Sequence, residues 1–136
     1  MKQGFTLLEL LICLVIAGVL AMIAVPTWRD VTLRAQRSDA TAALYALATA
    51  QERYRLVHGR YADQAGPAPP TGLGFDRSER GWYLLRIESA DQTHFTASAQ
   101  PAAGSRQATD AACQVLTIDE AGLRGSTPAP VETCWR

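Results

Sequence analysis

The chain has 136 residues, of which 13 are basic and 13 are acidic, so its formal net charge is zero. This length suits a single domain with a small core. The charge balance argues against the strongly basic composition that is typical of proteins dedicated to nucleic acids. The basic residues are unusual in kind, because Lys2 is the only lysine and all the others are arginines.

The first element along the chain is an apolar run from Phe5 to Trp28 that contains one charged residue, Glu9. About 20 apolar residues are enough for a helix to cross a membrane. A cleaved secretory signal fits poorly, since Lys2 is the only basic residue before the run. The small residues near the end of the run also lack the spacing of a signal-peptidase cleavage site. A plain anchor fits in length but leaves Glu9 unexplained, because a charge at the bilayer centre costs roughly 2.5–3.5 kcal/mol.

The residues around Glu9 support a third interpretation. The segment Gly4-Phe5-Thr6-Leu7-Leu8-Glu9 resembles, at every position, the type III signal of prepilin-like proteins, whose pattern G-[FM]-[ST]-L-[IL]-E precedes a long apolar stretch. This signal marks the type IV pilins and the pseudopilins of type II secretion. The closest likeness is to PilE-like minor pilins of type IVa pili.

The resemblance implies how the N-terminus is processed and used. A prepilin peptidase would cut between Gly4 and Phe5, removing residues 1–4 as a leader, and the new amino group of Phe5 would be N-methylated. Residues 5–28 would form a membrane helix first and a filament core later. Glu9 would pair with the Phe5 amine of an adjacent subunit, because a buried charge without a partner is costly. This pairing would fix the axial register of assembly.

After the apolar run, the sequence predicts that the helix continues over residues 29–58, which lack glycine and proline and are rich in good helix formers. One apolar stripe contains Ala40, Leu44, Leu47 and Tyr54, and Gly59 suits the position just beyond a helix C-terminus. Four polar residues are expected largely outside this stripe: Arg37, Thr41, Gln51 and Arg55.

Two residues in the first half of this helix are candidates for a bend. Pro26 removes a backbone hydrogen-bond donor, and Gly18 adds a flexible point. The pilin resemblance implies further that the segment between them can lose helicity in a filament. The alternative interpretation is a proline of the kind that membrane helices commonly contain.

The rest of the chain predicts a loop over residues 59–80, an antiparallel sheet of three or four strands over residues 81–125, and a tail over residues 126–136. The loop is rich in proline and glycine. Alternating apolar residues predict strands at three places, and a short edge strand is expected after Gly122. The three main strands are predicted at Trp82–Glu88, Thr93–Ala99 and Cys113–Asp119.

The predicted fold class is therefore α+β. The resemblance implies a pilin fold, in which the hydrophobic first half of the long helix protrudes and the second half packs on a small antiparallel sheet. Residues 29–136 would form the periplasmic and later extracellular domain. The whole chain would reside in the inner membrane with a single span before it enters an extracellular pilus, or fimbrium.

The three cysteines are of two kinds. Cys13 lies in the apolar run, where it acts as a small hydrophobic residue. Cys113 and Cys134 lie in the polar part of the chain, and two cysteines beyond a membrane segment indicate an oxidising compartment and one disulfide. In the third strand, Cys113 and Val115 are predicted to face away from the core side. The resemblance implies a C-terminal disulfide loop whose exposed surface contributes to subunit contacts and adhesion.

No catalytic motif, cofactor site or metal-ligand spacing is recognisable, so the sequence does not predict an enzyme. Interleaved arginines and aromatic residues in the middle of the chain can contact DNA. Acidic residues interrupt this set, which favours an ordinary solvated surface. The candidate DNA contacts are Arg53, Arg55, Arg60, Arg77 and Arg80.

These observations leave three hypotheses in order of preference. The first is a structural subunit of a type IV pilus, a minor pilin that supports pilus assembly, twitching motility and adhesion. Its partners would be other pilin subunits, the prepilin peptidase and the assembly platform of the inner membrane. The second is a pilin that binds DNA during uptake in competence. The third, a type II secretion pseudopilin, is disfavoured by the cysteine pair and by the lack of a calcium-ligand pattern.

Overall fold

The computed structural model describes residues 5–136, apart from the side chains of residues 25–27. Its first element is helix α1 (Leu7–His58), and its last is the short helix α2 (Val131–Cys134). Between them lie strands β1 (Tyr83–Ala90), β2 (Phe95–Pro101), β3 (Cys113–Asp119) and β4 (Arg124–Pro128), with one 3₁₀ turn at Arg106–Thr109. The chain divides into two compact units, of which the first ends at Thr32 and the second is Leu33–Arg136.

In the first unit, the described part of α1 exposes nearly all of its apolar side chains. Within the described residues, α1 is the one helix that is long and apolar enough to cross a membrane, judged by length and composition. The helical assignment runs through Gly18 and Pro26 without interruption. Gly18 has open space around its backbone, whereas the proline ring is among the side chains outside the described set.

The second half of α1 ends where the sequence predicts. Gly59 has a φ of 72° and donates its N–H to the carbonyl of Arg55 at 2.8 Å. Glycine adopts this left-handed conformation without the steric cost that a Cβ atom adds. The predicted C-terminal glycine is thereby confirmed.

The four strands form one antiparallel sheet in the order β1-β2-β3-β4, so each strand pairs with its neighbour in sequence. The four-strand form of the prediction is confirmed. The first two strands begin and end later than predicted: Ala90 pairs with Phe95, so the four-residue turn lies at residues 91–94, two positions beyond the predicted one. The edge strand is longer than expected and continues to Pro128.

The core lies between α1 and the sheet. The inward faces predicted for β1 and β2 are confirmed, since Tyr83, Leu85, Phe95, Ala97 and Ala99 are all buried. Gln107 donates its amide N–H to the Tyr83 hydroxyl oxygen at 2.6 Å, and burial raises the pKa of the Tyr83 phenol. The predicted helix stripe of Ala40, Leu44 and Leu47 is also fully buried, whereas Tyr54 is half-buried at its end.

Two polar residues of α1 contradict the prediction that they lie outside the buried stripe. Gln51 is fully buried, and its amide group makes hydrogen bonds of 2.8 Å with both the N–H and the carbonyl of Ala62. Arg37 is also buried, because Asp110 neutralises its guanidinium group. The buried face therefore runs from Arg37 to Gln51 with a polar residue at each end.

The orientation of Cys113 also differs from the prediction. Cys113 is fully buried with Leu116 and Ile118, whereas simple alternation places it on the opposite face. The register of β3 against β4 shifts between Cys113 and Val115. Such an irregularity adds one residue to a strand and reverses the alternation beyond it. Val115 is only partly exposed, so the outer face of β3 is itself half-covered.

Candidate functional site

Glu9 lies in the first turn of α1. Its backbone N–H donates to the side-chain oxygen of Thr6 at 3.2 Å and to the Thr6 carbonyl at 3.1 Å. Thr6 is therefore the N-cap residue, and Thr6-Leu7-Leu8-Glu9 has the spacing of a capping box. This capping signal is visible in the sequence, but Thr6 was not among the predicted site residues.

The position of Glu9 lowers the cost of its charge within its own helix. A carboxylate in the first turn interacts favourably with the positive end of the helix dipole, which contributes roughly 0.3–1 kcal/mol at an exposed site. Glu9 forms no ion pair with any residue that the structure describes. In an apolar environment this dipole term is small beside the cost of the bare charge, so a cation from outside the chain would be stabilising.

The surroundings of Glu9 are apolar and uncovered. Phe5 is 83% exposed, and Leu7 and Leu8 are 81% and 69% exposed. Contiguous apolar surface of this extent indicates contact with lipid or with other protein chains. The predicted cleavage site is only partly within the described chain, because Phe5 is described and Gly4 lies outside the described residues.

The disulfide Cys113–Cys134 is formed, with a sulfur–sulfur distance of 2.08 Å and a Cα–Cα distance of 5.6 Å. It joins the start of β3 to the end of α2 and so holds the C-terminal tail on the sheet. Cys13 is a free, exposed cysteine in the apolar half of α1. The disulfide pairing predicted from the sequence is confirmed.

A buried ion pair holds the same tail from the helix side. Arg37 donates Nε to Asp110 Oδ2 at 2.7 Å and Nη2 to Asp110 Oδ1 at 2.9 Å, while Nη1 donates to the carbonyl of Thr133 at 2.9 Å. Both side chains are more than nine-tenths buried. Such a pair fixes geometry more than it adds stability, because burying both charges is itself costly.

The five arginines proposed as DNA contacts have different neighbours. Arg55 lies over the ring of Tyr61, with its guanidinium carbon 5.1 Å from the ring centroid, and donates to the Tyr61 hydroxyl. Arg60 lies 3.8 Å from Asp63. Arg80 lies over Trp82 at 5.1 Å, whereas Arg53 and Arg77 are exposed.

Another arginine, outside the five predicted DNA contacts, lies against two aromatic rings. The guanidinium carbon of Arg124 is 5.7 Å from the ring centroid of Tyr45 and 5.5 Å from that of Trp135. The two rings meet edge to face at 5.9 Å. These residues come from α1, β4 and the C-terminal end, so no local pattern in the sequence indicates that they meet.

Two family models match the chain, one over its apolar N-terminal part and the other over most of the remainder. Residues 1–25 match the family model of the prokaryotic N-terminal methylation motif. Residues 26–117 match the family model described as type IV minor pilin ComP, DNA uptake sequence receptor.

Individual relatives are also pilins. The chain is 40% identical to type IV major pilin protein PilE1 of Neisseria gonorrhoeae over 92 residues, which cover 65% of this chain and 52% of that protein. It is 42% identical to type IV major pilin protein PilA of Myxococcus xanthus over 89 residues, which cover 65% of this chain and 38% of that protein. The chain thus spans about half or less of these relatives' lengths.

A solved structure has the same fold. The non-core minor pilin PilV of Neisseria meningitidis superposes with a TM-score of 0.55 at 17% identity, over 76% of this chain and 93% of that one. The identity is low, so this likeness bears on the fold alone. The two family models together cover residues 1–117, and they identify the family: this chain belongs to the type IV pilins, in the family of ComP-type minor pilins, and carries the N-terminal methylation motif.

Proposed function

We propose that this chain is a minor subunit of a type IV pilus. Before assembly, α1 would anchor the subunit in the inner membrane, and afterwards the same helix would pack into the filament core. The observation that carries this proposal is the exposed apolar helix with a single carboxylate, Glu9, in its first turn. A helix of this kind is unstable in water, and lipid followed by neighbouring helices covers it at both stages. In the fibre, the subunit would support pilus assembly, twitching motility and adhesion.

The proposal includes the processing step. A prepilin peptidase would cleave between Gly4 and Phe5, and N-methylation would follow at Phe5. The new amine would meet Glu9 of a neighbouring subunit, because the two charges stabilise each other strongly in an apolar layer. Within one chain, only the backbone N–H of Glu9 is bonded to Thr6, and no ion pair among the described residues includes the Glu9 carboxylate, so that group is available to another subunit. The assembly platform of the inner membrane would be a further partner before assembly.

The experiment that tests this proposal compares three full-length variants for their amount in sheared pili. Glu9→Val and Glu9→Gln remove the charge, and Leu8→Ala is the matched control in the same exposed turn. We expect the Glu9 variants to be processed and held in the membrane but to enter pili at roughly a tenth of the parent level or less, since an unpaired amine is costly in the core. Leu8→Ala should assemble nearly normally.

Equal incorporation of Glu9→Gln and the parent would contradict the charge-pairing proposal. A Glu9 variant that is absent from the membrane would instead indicate a role in insertion. Counting copies per pilus by mass spectrometry would distinguish a minor from a major subunit.

A second candidate function is DNA binding during uptake. The observation that favours it is the match of residues 26–117 to a family model whose description names a DNA uptake sequence receptor. The five candidate arginines lie inside that segment. Titration of the detergent-solubilised full chain with labelled DNA at rising salt tests it. Affinity near micromolar that falls with salt would support it, because phosphate contacts release counterions. No binding at low salt would exclude it.

A further inference from the structure

Two exposed arginines lie close together at the start of the second unit. Arg34 belongs to α1, and Arg106 opens the 3₁₀ turn between β2 and β3. Gln107 joins the two elements, because its amide nitrogen donates to the carbonyl of Leu33 at 3.3 Å. Each arginine is the immediate sequence neighbour of one partner in this hydrogen bond. We name Arg34 and Arg106 the basic end of the second unit.

The charges of the basic end are not neutralised within the described chain. None of the ion pairs among the described residues includes Arg34 or Arg106. Asp110 directly follows the 3₁₀ turn, but the guanidinium group of Arg37 already binds both of its carboxylate oxygens, at 2.7 and 2.9 Å. The guanidinium groups of the basic end are therefore available to an anion from outside the chain.

The basic end lies near the point at which a membrane helix leaves the hydrocarbon layer. The apolar run ends at Trp28, which is 72% exposed, and tryptophan is enriched at membrane interfaces. Arg34 follows six residues later, so about 9 Å of helix separates the two. The polar headgroups extend roughly 5–7 Å beyond the hydrocarbon on each side of a bilayer. In an anchored subunit, the basic end would therefore meet the headgroup layer.

The arginines that follow the apolar run lie on the side of the membrane where basic residues are disfavoured. Short segments beside a span carry their arginines and lysines mostly on the cytoplasmic side. In the proposed topology, Arg29 and Arg34 lie on the opposite side, and Asp30 offsets one of their two charges. Contact with an anionic surface would give arginines a function there, because such a surface attracts each of them strongly enough to change an equilibrium about fivefold.

We infer that the basic end binds the phosphate groups of anionic lipids on the periplasmic surface of the inner membrane. A guanidinium group donates paired hydrogen bonds to phosphate oxygens, which suits it to this ligand. The contact holds the second unit against the bilayer before assembly and breaks when the subunit enters a fibre. The inference rests on the proposed anchoring of α1 and adds a second contact with the same membrane.

The test reconstitutes the full chain in vesicles of phosphatidylcholine alone and of equal parts phosphatidylcholine and phosphatidylglycerol. Ala108→Cys places a thiol at an exposed position of the 3₁₀ turn, and an uncharged maleimide on polyethylene glycol measures how fast a water-soluble reagent reaches it. Ser89→Cys is the matched position, because Ser89 is also exposed and lies at the end of β1 near the loop that follows α1. We expect Ala108→Cys to react roughly 5- to 25-fold more slowly in the anionic vesicles, about fivefold for each arginine. Ser89→Cys should react at the same rate in both.

Charge variants in the Ala108→Cys background show whether the two arginines cause the slower reaction. Arg106→Gln should leave about a fivefold difference between the vesicles, and the double variant with Arg34→Gln should leave none. Arg86→Gln is the matched control and should change nothing, since Arg86 is an exposed strand arginine that lacks an ion pair within the described chain. The difference should shrink as salt is raised. Inorganic phosphate added to the neutral vesicles should not reproduce it.

Equal reaction rates of Ala108→Cys in the two kinds of vesicle would overturn the inference, as would a difference that persists in the double variant or appears equally at Ser89→Cys. If the double variant does not fold, Arg106→Gln decides, and an undiminished difference in that variant would overturn the inference. Slower reaction with inorganic phosphate in neutral vesicles would assign the arginines to a free anion and overturn the lipid assignment. A parent chain that inserts into neither vesicle would contradict the proposed anchoring as well, whereas insertion without a lipid-dependent rate overturns this inference alone.

Discussion

Arg37 and Asp110 form a buried, doubly hydrogen-bonded ion pair between α1 and the segment that precedes β3. The two residues are 73 positions apart in the sequence. The sequence predicts an exposed Arg37, because no neighbouring residue in the sequence indicates a buried partner. The pair also places the third guanidinium nitrogen against the carbonyl of Thr133, so a single side chain positions the disulfide-tied tail.

We predict that Arg37→Met destabilises the protein by about 3–5 kcal/mol, because it leaves Asp110 charged and buried without its cation. The double variant Arg37→Met with Asp110→Leu removes both charges and should recover much of that loss. Denaturant unfolding of the parent, both single variants and the double variant in detergent would measure the coupling as a double-mutant cycle. If the double variant loses as much as the sum of the two single variants, the pair is not coupled.

Asp91 gives a prediction about pH. Its Oδ1 atom accepts the backbone N–H of Thr93 at 2.6 Å and of His94 at 2.7 Å in the turn between β1 and β2. These backbone hydrogen bonds lower the pKa of the Asp91 carboxyl from 3.8 to about 2. A folded-state pKa below the unfolded value means that the ionised form favours folding, so this contribution is complete above about pH 4 and is lost as pH falls through about 2.

Asp91→Asn keeps an acceptor oxygen but does not titrate. We therefore predict that the difference in unfolding midpoint between the parent and this variant narrows as pH is lowered from about 4 to about 2. Equilibrium unfolding at closely spaced pH values would measure it. A constant difference across that range would show that the turn does not hold the ionised carboxylate more tightly than water does.

At the scale of elements, the loop after α1 is more ordered than its composition predicts. Leu73 donates its N–H to the carbonyls of Gln64 and Ala65, and Gly74 donates to that of Pro67. Gly72 lies inside this arrangement and is buried. A segment rich in proline and glycine is expected to be irregular, yet hydrogen bonds between its own backbone groups order this one.

We predict that Gly72→Ala destabilises the protein by roughly 1–3 kcal/mol, the usual cost of overpacking. An added Cβ atom would lie 2.6 Å from the Pro67 carbonyl oxygen and 2.8 Å from that of Gln64, and both are backbone atoms. Gly66→Ala is the control, because its Cβ would meet the side chain of Asp76 at 3.3 Å, which can move. Thermal unfolding of both variants would show whether Gly72 is the more sensitive position. Equal, small effects would mean that the loop relaxes.

The elements that the sequence predicted well are those with local causes. Gly59 ends α1 because of its own backbone preference, and the inward residues of β1 and β2 follow strict alternation. Alternation failed at Cys113, where a shift in register reverses the faces of the strand. That shift depends on how β4 pairs with β3, which the pattern of β3 alone does not contain.

At the scale of the whole molecule, some functional and buried polar residues could be predicted from the sequence and others could not. Glu9, to which the proposal assigns a role in assembly, could be singled out from the sequence, since it is a single charge in an apolar run and its signal is contiguous. The contact of Arg124 with Tyr45 and Trp135 could not be predicted, because these residues come from three elements that only the fold brings together. The same holds for Gln51, whose buried amide is explained by the backbone of Ala62.

The two compact units suit two different environments. The first is a helix whose apolar side chains are exposed along its described length, and the second has a core of its own between α1 and the sheet. A chain with this division requires a nonpolar environment for one part and water for the other. Membrane insertion followed by filament packing supplies both, which is the basis of the proposed function.

The most direct test of assembly through Glu9 is the intact mass of the chain recovered from sheared pili. We predict a polypeptide that begins at Phe5 with one added methyl group and contains the Cys113–Cys134 disulfide. Absence of the chain from the sheared fraction, or a mature chain that begins at any other residue, would contradict it. In the second case Glu9 would lack the neighbouring amine on which the proposed assembly register depends.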